Sequence, residues 1–251
     1  MIPAKRYCLV TGAAGGIGRA LVDIFADAGY GVIAIDLMKE IKGLRCLHYI
    51  QADLNLLADD CEYADQVMLR VRGFLDDRPL AALINNAAIQ VMVPTALLNR
   101  NEWKKTLNVN LLAPFFLAQG FLDELMISKG VVVNISSIHA QHTKADFVAY
   151  STSKAAISGL TRAMAVDLRG AVRVVCIEPA AIETQMLKDG FKGRDGDYKK
   201  LNELHPIGRI GKPDEVARLA LMIVDGGINF LNGVSIRLDG GISARLMDPE
   251  Y

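Results

Sequence analysis

The sequence predicts an α/β protein in which helices cover both faces of one doubly wound parallel sheet, a three-layer α/β/α arrangement. Short, almost wholly apolar runs alternate along the chain with longer segments of helical periodicity. Such runs are typical of parallel strands that are buried on both faces. The chain has 251 residues and is 51% apolar, which suffices for one large core, so we expect a single domain over residues 1–251.

The apolar runs predict seven strands, at Arg6–Thr11, Gly31–Asp36, Leu44–Ala52, Ala81–Asn85, Val131–Ser136, Val172–Glu178 and Gly233–Leu238. Helical periodicity covers Gly16–Ala28, Ala58–Leu75, Asn101–Ser128 and Val148–Arg169, with an interruption expected near Pro114. The connection from Asp36 to Leu44 is too short for a helix, so we expect a loop there. The polar, glycine-containing stretch around residues 184–206 is predicted to be a mobile lid with one or two short helices.

Composition narrows the class of protein. The 28 basic and 28 acidic residues balance, and no basic stripe is evident, so nucleic acid is not expected as a partner. No run of about 18 apolar residues exists, and the first residues lack the hydrophobic stretch of a signal peptide, so we expect no membrane span and a cytoplasmic location. The cysteines form no CxxC pair and are expected to be reduced, mostly buried thiols, without a metal site: Cys8, Cys46, Cys61 and Cys176.

A glycine-rich turn, Thr11-Gly-Ala-Ala-Gly-Gly-Ile-Gly18, joins the first predicted strand to the first predicted helix. Glycines at 12, 16 and 18 let the backbone turn tightly and approach a pyrophosphate, and the helix N-terminus offers unpaired N–H groups to the phosphates. An ordinary strand–helix turn is the alternative interpretation.

Asp36 ends the second predicted strand, where a carboxylate can accept hydrogen bonds from both adenosine ribose hydroxyls and repel a 2′-phosphate. Gly15 stands where a basic residue could have met that phosphate. The sequence therefore favours NAD over NADP, although Lys39 is a nearby cation and a solvated turn aspartate remains the alternative. Asp53 is a further candidate for the adenine, or a helix N-cap.

Tyr150 and Lys154 are four residues apart and share one face of a predicted helix. Free tyrosine titrates near ~10, and an ammonium one turn away is expected to lower that pKa, so that Tyr150 serves as general acid or base. Ser137, just after the fifth predicted strand, is placed to hold the substrate oxygen; its spacing and the family resemblance given below favour it over the adjacent Ser136. Asn110 is expected either to support a water that leads to Lys154 or to be a buried structural asparagine. An amphipathic surface helix with a solvated lysine is the alternative for the Tyr–Lys pair.

With these elements the chain resembles the short-chain dehydrogenase/reductase family over nearly its whole length. The resemblance also includes Asn85-Asn-Ala-Ala88, Pro179–Thr184, Gly208-Arg-Ile-Gly-Lys-Pro-Asp-Glu215 and Leu238-Asp-Gly-Gly241. It implies a Rossmann-type fold, NAD or NADP as cofactor, alcohol–carbonyl interconversion, a homotetramer or dimer, and the catalytic set Asn110, Ser137, Tyr150 and Lys154. The residues expected at the cofactor are Gly12, Gly16, Ile17, Gly18, Asp36, Asp53, Leu54, Asn86, Ala87, Tyr150, Lys154, Pro179, Ile182 and Thr184.

Three departures from the family pattern bear on the cofactor. Ala88 and Ala180 stand where the family usually has glycine, and each could be strained if its backbone needs positive φ. The third departure is the missing helix after Asp36, which gives the adenosine ribose a shorter wall.

Of all features of the protein, the sequence determines the identity of the substrate least. Gln90, His139 and Phe147 flank the motifs and are the predicted substrate contacts. We expect an NAD-dependent oxidoreductase acting on a secondary alcohol, a cyclic alcohol or polyol, or less readily a small hydroxy acid. An NADP-dependent 3-oxoacyl-thioester reductase and a non-catalytic NAD-binding redox sensor are the alternatives.

Overall fold

In the computed structural model, which describes residues 6–39, 42–75, 78–193 and 195–246, seven parallel strands form one sheet between two layers of helices. The strands, in chain order, are β1 Tyr7–Thr11, β2 Gly31–Asp36, β3 His48–Gln51, β4 Leu80–Asn85, β5 Val131–Ile135, β6 Arg173–Pro179 and β7 Ser235–Leu238. Their order in the sheet is β3-β2-β1-β4-β5-β6-β7, so the connection reverses direction between β1 and β4. The predicted doubly wound, Rossmann-type fold is confirmed.

Ten α-helices lie in the described ranges: α1 Gly16–Asp27, α2 Leu54–Asp59, α3 Cys61–Leu75, α4 Arg100–Leu107, α5 Ala113–Gly120, α6 Leu122–Ser128, α7 Val148–Asp167, α8 Gln185–Gly190, α9 Asp195–Leu204 and α10 Pro213–Asp225. A π-helical turn at Asn108–Leu112 joins α4 to α5, and single 3₁₀ turns occupy Ile138–Ala140 and Ile242–Ala244.

The sheet is buried on both faces, as its apolar strands predict. In β1, Tyr7 and Leu9 belong to the core under α3, α5 and α6, whereas Cys8 and Val10 belong to the core under α1 and α10. Each large apolar side chain buried in this way contributes roughly 1.5–3 kcal/mol. The two cores fix the sheet as the rigid base on which the strand-end loops are carried.

Several predicted boundaries were wrong for local reasons. The ladder of β3 begins at His48 rather than Leu44, and Leu47 is 47% exposed. The strand β7 begins at Ser235 because Gly233 has a positive φ of 68°, which a strand does not accommodate. The helix predicted over Ala58–Leu75 is two helices, because Asp60 is extended between α2 and α3.

The interruption expected near Pro114 is present. The π-helical turn ends just before α5, in whose first turn Pro114 lies, where its missing N–H costs nothing. A second break at Phe121, which has φ −108° and ψ 20°, separates α5 from α6. The long periodic segment is therefore three α-helices joined by a wider turn and a kink.

The connection between β2 and β3 contains no helix among its described residues, as expected; residues 40 and 41 lie outside them. The Tyr49 hydroxyl donates to the Met38 carbonyl at 2.5 Å, and the Gln51 amide donates to the Leu37 carbonyl at 3.1 Å. The predicted lid contains the two short helices α8 and α9, with residue 194 outside the described part.

All four cysteines are free thiols. Cys8 and Cys176 are buried, Cys46 is partly buried and Cys61 is exposed, so three of the four thiols are at least partly buried, in line with the expectation of mostly buried thiols. Within the described ranges no single helix is long and apolar enough to cross a membrane. The segments Arg100–Gly120 and Leu122–Ser128 reach that length and apolarity only together, and they meet at an angle of 63°.

Candidate active site

The predicted site residues meet at one edge of the sheet. Strands β1, β2, β4, β5 and β6 all end there, because carboxyl ends of parallel strands share an edge. Ligands of open α/β sheets bind outside the carboxyl ends, at the point where the strand order reverses. In this chain that point lies between β1 and β4.

The glycine turn after β1 leaves no room for side chains on its inner faces. Gly12 has φ +65°, and a Cβ placed there would lie 2.7 Å from the Ala87 Cα. A Cβ at Gly18 would overlap the Gly12 carbonyl oxygen, and one at Gly16 would lie 2.9 Å from Thr184 Cγ2. Glycine is therefore required at these three positions by close approach.

The outer face of the same turn is open. A Cβ at Gly15 would meet only the Gly12 carbonyl oxygen, at 3.5 Å. Gly15 is the N-cap of α1, no side chain caps this end of the helix, and the first turn, which includes Ile17, carries no acidic residue. An open helix N-terminus of this kind suits an anion, so the turn fits the pyrophosphate of a dinucleotide.

Asp36 lies beside this turn at the end of β2. Its Oδ2 accepts a hydrogen bond from the Ala14 backbone N–H at 2.8 Å, and its Oδ1 accepts one from Met38 N–H at 3.1 Å. Two backbone donors fix the orientation of the carboxylate and leave lone pairs for further donors, such as ribose hydroxyls.

The end of β4 is tied to the glycine turn by hydrogen bonds from Asn86 and Ala87. The Asn86 side-chain amide donates to the carbonyls of Thr11 and Gly12, both at 3.0 Å, and the Ala87 N–H donates to Thr11 Oγ1 at 3.1 Å. Ala88 and Ala180 are not among the described residues with positive φ. The strain considered for these two alanines is therefore absent.

Two of the residues expected at the cofactor, one of them the adenine candidate, have evident structural roles. Asp53 is the N-cap of α2, and its Oδ1 accepts from Asn55 N–H at 2.8 Å, so the N-cap alternative describes it. Leu54 is 7% exposed and belongs to the core. Its side chain has little surface left for a nucleotide.

The base of the lid lies opposite the glycine turn. Ile182 is buried and pairs with Gly211 in an isolated parallel bridge, three residues beyond the end of β6 at Pro179. Thr184 is the N-cap of α8 and accepts from Leu187 N–H at 3.2 Å. These contacts hold the start of the lid next to Gly16.

Tyr150 and Lys154 lie on α7 with the predicted common face. Lys154 is only 3% exposed, its Nζ donates to the Ile135 carbonyl at 2.7 Å, and the same Nζ lies 5.6 Å from the centre of the Tyr150 ring. Burial lowers the pKa of Lys154 to about 8, because the charged form loses hydration.

Ser137 is the serine that faces the tyrosine. Its hydroxyl lies beside the Tyr150 phenol and lowers the phenol's pKa. The neighbouring Ser136 instead donates to the Lys154 carbonyl at 2.8 Å, inside the core of the molecule. The choice of Ser137 over Ser136, made from spacing and resemblance, agrees with this geometry.

The pKa of Tyr150 differs from the expectation. Burial raises it to about 12, and Ser137 offsets only part of that rise. The prediction that Lys154 lowers the pKa of Tyr150 is therefore wrong for the protein alone. The lysine ammonium is engaged by the Ile135 carbonyl, and desolvation of the phenolate outweighs its attraction.

Asn110 lies in the π-helical turn and is 2% exposed. Its Oδ1 accepts from Ile89 N–H, and its Nδ2 donates to the Ile89 carbonyl, both at 2.9 Å. The same Nδ2 lies 3.0 Å from Ser153 Oγ on α7. Asn110 thus connects the segment after β4 to the tyrosine helix, and its support of a water stays a prediction.

The predicted substrate contacts differ in accessibility. The His139 ring stacks on Phe147 at 4.6 Å and lies edge-on to Tyr150 at 5.7 Å. Burial, together with Lys144, lowers the pKa of His139 to about 4, so the ring is neutral near pH 7. Phe147 is only 5% exposed and packs against the rings of His139 and Tyr150, whereas Gln90 is partly buried on the segment after β4.

Glu178 is a buried carboxylate at the end of β6. It is 1% exposed and is not paired with Arg173 of the same strand, which donates to the Ile223 and Leu231 carbonyls. Glu178 accepts instead from Ser158 and Gln141, two residues that sequence reasoning did not select. An acidic residue within an apolar strand was the only sequence signal for this contact.

The described residues contain no cluster of three or more histidine, cysteine, aspartate or glutamate side chains that could hold a metal ion.

Comparison with known protein families gives one family. A family model described as short chain dehydrogenase matches residues 6–195. Similar curated proteins include protein FixR of Bradyrhizobium diazoefficiens, 33% identical over 94% of this chain and 86% of that protein. The reductase FabG for 3-oxoacyl-[acyl-carrier-protein] of Thermotoga maritima is 32% identical (94% and 97% covered), and D-threitol dehydrogenase of Mycolicibacterium smegmatis is 30% identical (96% and 94%).

Solved structures agree with the fold. Aldohexose dehydrogenase of Thermoplasma acidophilum superposes with a TM-score of 0.89 at 27% identity, covering 98% of this chain and 97% of that one. A candidate gluconate 5-dehydrogenase of Beutenbergia cavernae with bound NADP gives 0.86 at 28% identity (97% and 98% covered). A 4-hydroxyisoleucine dehydrogenase complexed with NADH gives 0.84 at 27% identity (96% and 100%). Similar structures therefore carry either nicotinamide coenzyme.

Proposed function

Because this chain belongs to the short-chain dehydrogenase/reductase family, we propose that it is an NAD-dependent oxidoreductase that interconverts a secondary alcohol and its ketone. The observation that carries the proposal is the grouping of Ser137, Tyr150 and Lys154 at the sheet edge where the open glycine turn lies. A phenol, a hydroxyl donor and an ammonium at one point are the groups that proton transfer to and from an alcohol oxygen requires.

Each residue has a distinct task in alcohol oxidation. Ser137 holds the substrate oxygen, and Tyr150 in its phenolate form takes the hydroxyl proton. A nicotinamide coenzyme held on the glycine turn would supply the hydride acceptor, and its oxidised form would contribute a positive charge that favours the phenolate. Lys154 holds its ammonium on the same helix face, and Asn110 keeps that helix in register with the segment after β4. In the reverse direction the Tyr150 hydroxyl protonates the developing alkoxide.

We propose NAD as the coenzyme on the strength of Asp36. Its carboxylate is held beside the glycine turn by two backbone N–H groups, so it cannot swing away without losing both hydrogen bonds. A 2′-phosphate at this point would meet a fixed negative charge, whereas a ribose with two free hydroxyls would donate to it. Lys39, three residues after Asp36, is the nearby positive charge that would instead favour a 2′-phosphate.

For the substrate we propose a polyol, another uncharged secondary alcohol or a cyclic alcohol. His139 is neutral near pH 7 and offers hydrogen bonding rather than charge. Among the similar proteins, D-threitol dehydrogenase and aldohexose dehydrogenase are named for polyhydroxylated substrates. A small hydroxy acid is the weaker candidate; its carboxylate would need a cation such as Lys144, whose Nζ lies 4.7 Å from the centre of the Phe147 ring.

We further propose that residues 184–206 close over the bound substrate and that the chain forms a homotetramer or dimer. Apolar side chains are exposed on α7 and α10, where Val166 is 78% and Met222 is 52% exposed, and Phe230, five residues before β7, is wholly exposed. Burial of such a surface favours association. The four free thiols support a cytoplasmic location.

The test is a substrate panel. Purified protein is mixed with NAD or NADP and a set of polyols, cyclic alcohols, simple secondary alcohols and small hydroxy acids, and NADH or NADPH absorbance is followed. Faster turnover with NAD and a polyol supports the proposal. Turnover only with NADPH and a 3-oxoacyl thioester would support the acyl-thioester reductase. Coenzyme binding without turnover on any substrate would support a redox sensor.

A further inference from the structure

We propose that Glu178 and Gln141 are positioning residues, which hold the His139 segment (Ile138–Gln141) over Tyr150 and thereby determine how well the substrate alcohol is bound. This inference rests on the proposed dehydrogenase function only where it concerns substrate binding. The positioning of the His139 segment does not depend on that function.

Glu178 is a carboxylate that lies buried rather than at the protein surface. It stands at the end of β6 with 1% of its surface exposed. Its Oε1 accepts from Ser158 Oγ at 2.8 Å, its Oε2 accepts from Gln141 Nε2 at 3.1 Å, and it forms no ion pair with a described residue. Burial of a carboxylate costs free energy, and these two hydrogen bonds from neutral groups offset part of the cost.

Gln141 connects this buried group to the surface. Arg237, which pairs in register with Glu178 across β6 and β7, donates to Gln141 Oε1. The guanidinium has no acceptor atom, so the Gln141 amide can satisfy both neighbours only with its oxygen toward Arg237 and its N–H₂ toward Glu178. The orientation of Gln141 is therefore determined from both sides.

The His139 segment is a compact turn between two functional ends. Ser137 is the N-cap of the 3₁₀ turn, and the backbone N–H groups of Ala140 and Gln141 donate back to the carbonyls of Ser137 and Ile138. Fixing Gln141 at one end of such a turn fixes His139 and Ser137 at the other. The stacked His139 ring, 5.7 Å from the Tyr150 ring, then has one position.

Ser158 supplies the second anchor. It lies one helical turn beyond Lys154 on α7 and binds Glu178, so the same carboxylate holds the lysine helix and the His139 segment together. The contact thus links the two sides of the site, one with the proton-transfer groups and one with the predicted substrate contact.

The experiment compares three variants with one control. Gln141→Ala removes the link at an exposed position, so folding is not at risk. Glu178→Leu removes both acceptors, whereas Glu178→Gln keeps an oxygen for Gln141 and can donate its N–H₂ to Ser158. Gln66→Ala removes an exposed glutamine from α3, remote from the sheet edge.

Two measurements are made on each protein. In steady-state kinetics we expect Gln141→Ala and Glu178→Leu to raise KM for the alcohol about tenfold, with the dissociation constant for NADH unchanged. In an NMR titration, with the His139 signal assigned through His139→Gln, we expect the imidazole pKa to rise from about 4 toward 6.5 as the ring leaves its stack. Glu178→Gln and Gln66→Ala should resemble the wild type in both.

The NMR titration of His139 tests this inference independently of the proposed function. If the wild type oxidises no alcohol, the proposed function fails, and the His139 titration still decides whether Gln141 holds the segment. If Gln141→Ala leaves both KM and the His139 titration unchanged and lowers only thermal stability, the contact is purely structural and the inference is overturned.

Discussion

Lys154 places its ammonium 5.6 Å from the centre of the Tyr150 ring, one helical turn farther along α7. The hydrogen bond of that ammonium goes to the Ile135 carbonyl, at 2.7 Å. The lysine is therefore held in place by the sheet rather than by the tyrosine, and it remains near the phenol whatever the phenol's protonation state.

The first prediction concerns Tyr150→Phe. Loss of the hydroxyl removes the general acid–base group, so turnover should fall by about three orders of magnitude. The NADH dissociation constant, from fluorescence titration, should change less than about twofold, because the ring remains. Tyr30→Phe, at the opposite edge of the sheet, is the matched control. Turnover of the Tyr150 variant within tenfold of the wild type would exclude the assigned role.

The second prediction concerns stability and pH. The pKa of Lys154 in the folded protein, about 8, lies below its ordinary value of 10.5. Above pH 8 the unfolded chain keeps a proton that the folded protein releases, so stability should rise with pH relative to Lys154→Met. The slope of this difference is at most about 1.4 kcal/mol per pH unit.

Urea unfolding of both proteins at several pH values between 8 and 10 measures the difference; the upper limit stays below the titration of Tyr150. Parallel stability curves for the wild type and the Lys154 variant would show that the lysine is not destabilised by burial.

The third prediction concerns coenzyme choice. Asp36→Ala removes the ribose acceptor and the fixed charge, so kcat/KM with NAD should fall about tenfold or more while kcat/KM with NADP rises. The ratio of the two measures the effect, and Asp65→Ala on α3 controls for a change in net charge. An unchanged ratio would mean that another group discriminates between the coenzymes.

The fourth prediction separates two glycines of one turn. Gly12→Ala should lower the free energy of unfolding by about 1–3 kcal/mol, because it forces positive φ on alanine. It also places a Cβ 2.7 Å from the Ala87 backbone. Gly15→Ala should cost less than about 1 kcal/mol, because Gly15 has φ −69° and an open outer face. Urea denaturation compares them; equal losses would contradict the described geometry of the turn.

Much of the fold was accessible from periodicity because both faces of the sheet are buried. Strands β1, β2, β4, β5 and β6 were predicted to within a residue at each end. The third strand was overextended, since the apolar residues at 44 and 47 extend the apolar pattern but stand outside the ladder. Strand pairing depends on the neighbouring strand, which sequence alone does not position.

Some features of the candidate site could likewise be predicted from local sequence, and others could not. Glycines, Asp36 and the serine, tyrosine and lysine follow from local spacing and strand ends. The partners of Glu178 do not, because Gln141 and Ser158 are 37 and 20 residues away in the chain and come together only through the fold. The sign of the Tyr150 pKa shift was likewise inaccessible, since it depends on burial rather than on the nearby lysine.

The close approach of Thr184 to Gly16 has a consequence for inhibition. The first turn of α8 rests against the first turn of α1, with no space even for one added methyl group between them. If residues 184–206 close as proposed, a dinucleotide seated on the glycine turn would form part of the surface that the lid meets. A small molecule that displaced Thr184 from Gly16 would then hold the lid open and block turnover while leaving the proton-transfer groups untouched.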